Sequence, residues 1–316
     1  MRIYRDTAGL PADARGASVA IGNFDGLHRG HREVIRVAAA EAARLGAPTG
    51  IVTFEPHPRE LLDPAKAPER LTTLRRKAQL ASALGVDVLY VLRFDEKLMR
   101  LSAEAFVDEV LVGHLGVRAV AAGSDFCFGY RRQGDVGLMA RLAAPHGVAV
   151  NAVPKIEVGG VVCSSTAVRN ALAEGDVARA ATLLGSPYEI EGVVKPGDTR
   201  GRTIGFPTAN VHPFGRRPMM PARGVYVVRA GLCVDGREVW HPAVANLGNR
   251  PTFHGRGLLL EVHLLDGGAD LYSQRLRVGF LERLRAEQKF AGIEELKAQI
   301  ARDCEHARSF HGLVAA

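Results

Sequence analysis

The chain has 316 residues, enough for about two domains of ordinary size. Hydrophobic residues make up 47% and charged residues 24%, which excludes a mainly disordered chain, and 4 Cys exclude a disulfide-built scaffold. The net charge of +7 is evenly spread, with 23 Lys and Arg against 20 Asp and Glu before residue 186 and 18 against 14 from there on. Without a basic tail or stripe this charge argues against a nucleic-acid partner, while a mild positive field suits anionic small molecules such as nucleotides. No apolar run approaches the ~18 residues that span a bilayer. The opening MRIYRDTAGLPADARG has no apolar leader, so no secretory signal is expected. Cys127, Cys163, Cys233 and Cys304 lie far apart and show no metal-ligand spacing. They read as reduced thiols of a cytoplasmic protein.

In chain order, residues 17–22 (ASVAIG) predict a buried strand, followed by a Gly-rich turn and a helix over 30–45. Val34, Ile35, Ala38, Ala42 and Leu45 share one face of that helix. Residues 50–54 predict a strand, 72–84 a helix and 86–92 a strand. Ser102 opens another helix, and 117–122 and 148–153 are further strand-like runs. This alternation predicts a parallel sheet with helices on both faces, a Rossmann-like α/β domain. From about 186 short strands follow one another, over 188–194, 205–210, 224–230, 239–247, 258–265 and 275–280. They predict a small antiparallel β-barrel. A helix over 292–310 follows, with Ile293, Leu296, Ile300 and Cys304 on one face. The expected domains are 1–185 and 186–316.

Gly22-Asn23-Phe24-Asp25-Gly26-Leu27-His28-Arg29-Gly30-His31 stands between the first strand and its helix, where α/β sheets bind ligands. Glycines allow close backbone approach to a phosphate, and a helix N-terminus offers unpaired N–H groups. His28 and His31, three apart at the helix start, can face one anion. In the second half, Gly197-Asp198-Thr199-Arg200-Gly201-Arg202-Thr203-Ile204-Gly205 is a Gly-rich loop with cations for phosphate. It leads into Thr208 and Asn210, which point to one side of an extended segment. Two neutral oxygens there suit a hydrated, phosphate-bound Mg²⁺, although a Gly-rich hairpin with a polar edge would look similar. Glu261 shares a strand face with Leu259, His263 and Leu265. A carboxylate in that apolar run is either a general base or half of a structural ion pair.

The first of these segments resembles the signature of nucleotidylyl transferases, and in its longer form that of the FMN adenylyltransferase half of prokaryotic-type FAD synthetases. Three later segments agree in order: Thr53-Phe54-Glu55-Pro56-His57-Pro58, Gly123-Ser124-Asp125-Phe126-Cys127-Phe128-Gly129 with Arg132, and Ser164-Ser165-Thr166-Ala167-Val168-Arg169. The second half resembles riboflavin kinases through GRTIGFPTAN, through 245–253 and through 260–266. The resemblance implies a bifunctional enzyme that phosphorylates riboflavin to FMN and then adenylylates FMN to FAD, releasing pyrophosphate.

For the adenylyltransferase the resemblance implies ATP contacts from Gly22, Asn23, Phe24, His28, His31, Ser164, Thr166 and Arg169. Flavin contacts fall to Pro56, His57, Pro58, Asp125 and Phe128. For the kinase it implies ATP contacts from Gly197, Gly201, Arg202, Gly205, Thr208 and Asn210. Mg²⁺ falls to Thr208 and Asn210, the general base to Glu261 and a flavin contact to Arg285. The implied partners are ATP, riboflavin and FMN, with no nucleic acid, no membrane and at most a weak homo-oligomer. Two departures stand out: Leu61 and Leu62 replace aromatics common in the family, and Ser273 replaces a common glycine. They leave room for a chain with one working site, and a flavin-binding regulator is the rival from another class.

Overall fold

In the computed structural model, which describes residues 1–5, 9–196, 205–234, 237–250, 257–266 and 271–314, the chain divides into two compact units, Met1–Ser165 and Thr166–Ala316. The strands of the first unit are β1 (Arg2–Tyr4), β2 (Ser18–Ile21), β3 (Thr49–Glu55), β4 (Val88–Arg93) and β5 (Ala119–Gly123), a hairpin of β6 (Cys127–Phe128) and β7 (Gly134–Asp135), then β8 (Ala149–Val153) and a hairpin of β9 (Glu157–Val158) and β10 (Val161–Val162). The helices are α1 (Arg29–Leu45), α2 (Pro58–Leu62), α3 (Leu74–Ala83), α4 (Glu96–Met99), α5 (Ala103–Ala105), which runs on into a π-helical stretch Phe106–His114, and α6 (Val136–Ala143).

Six strands form one parallel sheet in the order β1-β4-β3-β2-β5-β8. Alternate residues of each strand feed two cores. Val19 and Ile21 of β2 join Phe106, Val107 and Met139 on one face, and Ala20 joins Val34, Ile35 and Ala38 of α1 and Ala78 and Ala81 of α3 on the other. Burial on both faces explains why these strands read as continuous apolar runs. The edge strand β1 was not legible, because its three residues are largely exposed and, among the described residues, pair with β4 alone.

In the second unit α7 (Ser165–Glu174), which starts at the division, and α8 (Val177–Leu184) precede the barrel. The barrel strands are β11 (Tyr188–Lys195), β12 (Ala209–Pro213), β13 (Gly224–Val234), β14 (Arg237–Arg250), β15 (Gly257–Leu264) and β16 (Arg275–Arg285), closed in the order β11-β12-β15-β14-β13-β16, and α9 (Ile293–Val314) follows. Every neighbouring pair is antiparallel. Val211, Leu260, Leu247 and Tyr226 belong to the buried interior set, while Val225, Val227 and Val244 face outward onto Cys304 and Ala307 of α9.

Three details differ from the sequence reading. The strand expected at 205–210 begins at Ala209, because Gly205 adopts φ +89° and Pro207 has no N–H for a ladder. The apolar stripe of α9 runs through Ile300, Cys304, Ala307 and Phe310, and Ile293 at its start is exposed. By packing, α7 and α8 go with the second unit, since α8 lies against β11 and β16 and connects to β11 through Gly185 at φ +78°. The boundary expected at 185/186 lies after both helices.

Candidate active sites

The chain crosses from one half of the parallel sheet to the other between β2 and β5, with Ile21 beside Ala122 in the ladder. On its other side Ile21 pairs with Val52 of β3. Three parallel strands thus end side by side, and their carboxyl ends carry 53–58, 22–31 and 123–129. Sheet topology alone brings those three motifs to one edge, the usual ligand crevice of an open α/β sheet.

The loop between β2 and α1 is tightly determined. Gly26 has φ +89°, and Phe24 and Leu27 are non-glycine residues at φ +49° and +43°. His28 is the N-cap of α1, its Nδ1 accepting the His31 N–H at 3.3 Å. The His28 and His31 rings stack at 3.6 Å between centroids, and Phe24 lies 5.1 Å from His31. The two histidines therefore act as one unit at a helix N-terminus, where an anion is favoured. Gly30 is required by close approach, because a Cβ there would lie 3.1 Å from the Cys163 carbonyl oxygen and 3.2 Å from the His28 ring.

Asp25 of the same loop is buried and accepts from Leu71 N (3.1 Å), Thr72 N (3.0 Å) and Thr72 Oγ1 (3.2 Å). Its carbonyl oxygen accepts from Ser165 Oγ at 2.8 Å. Ser164 precedes α7, with Thr166, exposed, on its first turn and Arg169, half-buried, at the start of the next.

The residues expected near flavin are arranged unequally. His57 is buried and caps α2, its Nδ1 accepting from Arg59 N at 3.2 Å, with Pro58 at the first helical position. Pro56, Leu61 and Leu62 are exposed beside it. Asp125 is exposed and pairs with Lys155 at 3.2 Å. Phe128 belongs to the core, stacked on Phe126 and tilted against Phe106. Phe126 is only partly buried, so it offers more open ring surface than Phe128.

Sequence reading missed a charge cluster at the end of β3. Lys77 of α3 is wholly buried, with Nζ 3.0 Å from Thr53 Oγ1 and 3.3 Å from Glu55 Oε1. Arg70 bridges Glu55 at 2.6 Å and Glu60 at 2.9 Å. Burial works to raise the Glu55 pKa, but Lys77 and Arg70 together hold it below its ordinary value. Burial also pushes the Lys77 ammonium down, against the opposing pull of Glu55.

In the barrel, Glu261 of β15 stands directly between Asn210 of β12 and Asn246 of β14 in the ladder. Cross-strand partners share a face, so the three side chains form a polar row on the outer surface. Asn246 Nδ2 lies 3.5 Å from Glu261 Oε2. Thr208, two residues before Asn210, lies on the same side, because the intervening Ala209 is buried. Next to it His263 Nδ1 lies 2.8 Å from the Pro207 carbonyl oxygen, and the His263 ring meets Phe206 edge-on at 5.6 Å. Gly205 is exposed at φ +89°, a conformation that favours glycine. Gly197, Gly201 and Arg202 lie outside the described residues.

Arg285, expected near flavin, is gripped by Asp303 of α9, with Nε 3.1 Å from both carboxylate oxygens and Nη2 2.7 Å from Oδ2. Its guanidinium lies 5.8 Å from the Phe290 ring centre. Asn246 and Asp303 are the residues the sequence reading passed over here. Among the described residues no group of three or more His, Cys, Asp or Glu is arranged to hold a metal ion. Thr208 and Asn210 are neutral oxygen donors, which fits a magnesium ion carried in on phosphates rather than a resident metal.

Comparison with known proteins separates the two halves in the same way. Residues 10–167 match the family model described as FAD synthetase, and residues 184–311 match the model described as riboflavin kinase. The bifunctional riboflavin kinase/FMN adenylyltransferase of Escherichia coli (strain K12) is 46% identical over 314 residues, covering 99% of each chain. The protein of that description from Pseudomonas fluorescens is 44% identical over 98% of this chain and 97% of its own. The one from Bacillus subtilis (strain 168) is 40% identical over 92% and 90%. A solved structure described as a macrolide-efflux protein from Streptococcus pneumoniae superposes with a TM-score of 0.85 at 30% identity, covering 97% of this chain and 98% of that one. Among the described residues of the present chain no helix is long and apolar enough to cross a membrane. With an FAD synthetase half, a riboflavin kinase half and relatives matched end to end, the chain belongs to the family of bifunctional riboflavin kinase/FMN adenylyltransferases.

Proposed function

We propose that the chain makes FAD from riboflavin in two steps at two separate sites, with the functional divide at 185/186. The barrel transfers the ATP γ-phosphoryl group to the riboflavin 5′-hydroxyl, giving FMN and ADP. The α/β domain joins the FMN phosphate to the ATP α-phosphorus, giving FAD and pyrophosphate. The observation that carries this reading is that each half has its own polar constellation. One is the His28–His31 pair at the switch point of the sheet, and the other is the Asn210–Glu261–Asn246 row on the barrel.

In the adenylyl step no covalent enzyme intermediate is needed, and catalysis is positioning plus electrostatics. Gly22, Asn23 and Phe24 lead the backbone to the nucleotide. His28 and His31 stabilise charge on the α-phosphate, and Ser164, Thr166 and Arg169 hold the triphosphate. Pro56, His57, Pro58, Asp125 and Phe128 surround the flavin end. The capping role of His57 and the core position of Phe128 give these two mainly a shaping part.

In the kinase step Glu261 takes the proton from the 5′-hydroxyl as that oxygen attacks phosphorus. Asn246 and Asn210 flank the carboxylate, and Gly197, Gly201, Arg202 and Gly205 would contribute to ATP binding. Thr208 and Asn210 would hold Mg²⁺, whose chemistry is neutralisation of charge on the transferring and leaving phosphates. Arg285 contributes to the flavin side while clamped to α9. We place the enzyme in the cytoplasm, acting on free small molecules, with at most weak self-association.

The test is a chromatographic time course with riboflavin, ATP and Mg²⁺. FMN that rises and then gives way to FAD supports the proposal. A chain that makes neither product, from riboflavin or from FMN, refutes it.

A further inference from the structure

The buried cluster around Lys77 includes none of the side chains assigned above to either reaction, yet it ends on the loop that carries His28 and His31. Lys77 Nζ can only donate, so Thr53 Oγ1 accepts from it at 3.0 Å. The threonine has a single proton left to give, and the Asn23 carbonyl oxygen lies 3.1 Å away. The direction Lys77 to Thr53 to Asn23 is therefore set by valence. On its other flank the loop is held by Asp25, through Leu71, Thr72 and the Gly26 N–H, which donates to Thr72 Oγ1 at 3.1 Å. Between these anchors Phe24, and just after them Leu27, stay in a left-handed conformation that costs free energy unless the surroundings impose it.

A wholly buried ammonium is a poor choice for packing alone, because an apolar chain of similar length fills the same space without desolvating a charge. Glu55 and Arg70 make the charge tolerable, but they do not explain why it is there. We propose that Lys77 is a positioning residue for adenylyl transfer: through the Thr53 hydroxyl it fixes the Asn23 carbonyl, and with it the peptide planes that run into the His28–His31 pair. This inference rests on reading residues 22–31 as the ATP site of the adenylyl step. It also assigns a role to Thr53, whose side chain is wholly buried.

The experiment uses the full chain with Lys77→Met, Thr53→Val, Thr53→Ser and the Lys77→Met/Thr53→Val double variant. Rates of FAD formation from FMN are measured against ATP concentration, with riboflavin phosphorylation and thermal unfolding recorded on the same samples. Each of the first two single changes is expected to lower kcat/KM for ATP in the adenylyl step by about 10- to 100-fold, the worth of a charge-assisted hydrogen bond. The double variant should match Lys77→Met within about twofold, because a serial relay is broken once. Thr53→Ser should restore the rate, and FMN formation should stay unchanged throughout. Thr53→Val is nearly isosteric, so it carries the test even if Lys77→Met unfolds the α/β unit. Wild-type adenylyl rates in Thr53→Val, or losses that multiply in the double variant, would overturn the relay while leaving the site assignment standing. A wild-type chain that made no FAD from FMN would overturn the site assignment and the relay together.

Discussion

Arg285 at the end of β16 meets Asp303 of α9 in a two-pronged ion pair, with Nη2 2.7 Å from Oδ2 and Nε 3.1 Å from both oxygens. The pair joins the barrel wall to the helix that covers it. Both side chains are largely buried, so removing one charge leaves the other poorly compensated. Asp303→Asn is expected to destabilise the barrel unit by about 2–3 kcal/mol, at the low end for a buried pair because the arginine keeps some solvent contact. Thermal unfolding read on that unit checks this. FAD formation from added FMN should be unaffected, and an unchanged unfolding temperature would show that the clamp is not structural.

Glu261→Gln keeps the shape of the Asn210–Glu261–Asn246 row but removes the base. Riboflavin phosphorylation should fall by about 10²- to 10⁴-fold, the usual worth of general base catalysis. The KM for ATP should change little. Steady-state rates with riboflavin decide the point, and a variant within a few-fold of wild type would make Glu261 a structural residue of the barrel.

His31→Ala removes one ring of the stacked pair while leaving the His28 cap in place. FAD formation should drop by about 10²- to 10³-fold, as for loss of a group that stabilises developing charge. His28→Ala should add a stability loss of about 1 kcal/mol from the missing N-cap, whereas His28→Asn restores the cap but not the rate. Parallel rate and denaturation measurements on the three variants separate the two effects.

Ser273 adopts φ +63°, a left-handed conformation in which a Cβ is strained. Its N–H donates to the Val194 carbonyl oxygen at 2.9 Å, so the turn is held by the ladder and cannot relax. Ser273→Gly should therefore stabilise the barrel unit by about 1 kcal/mol. A calorimetric scan would read this as a higher Tm, and a lower Tm would contradict it.

The Glu55 carboxylate has a depressed pKa in the folded state, because Lys77 and Arg70 outweigh the cost of its burial. Such a group contributes stability above its unfolded pKa of about 4.3. The contribution is lost as pH falls through the lower folded value. Denaturant midpoints of wild type and Glu55→Gln should thus differ most near neutral pH and converge between about pH 5 and 3. A difference that stays constant across that range would contradict the assignment.

The order of elements was legible because each parallel strand is a buried apolar run and α1 carries a clean helical stripe. The two constellations were legible where chemistry is written in consecutive residues, as in 22–31 and 206–210. Lys77 was not, because it follows Arg75 and Arg76 and reads as one more solvated cation. Its phase on α3, one turn before the buried Ala81, was the available signal. Asp303 was hidden for a similar reason, since its partner Arg285 is 18 residues away and on another element. The Asn246–Glu261 neighbourhood depends on strand register, which the hydrophobic alternation of β14 and β15 does not specify by itself.

Two independent sites in one chain are tested most directly by mixing variants. Glu261→Gln and His31→Ala proteins are each given riboflavin, ATP and Mg²⁺, alone and then together, with riboflavin, FMN and FAD resolved over time. The account predicts unchanged riboflavin with the first, FMN alone with the second, and FAD from the mixture. Loss of both reactions in either folded variant, or a mixture that stops at FMN, would contradict it.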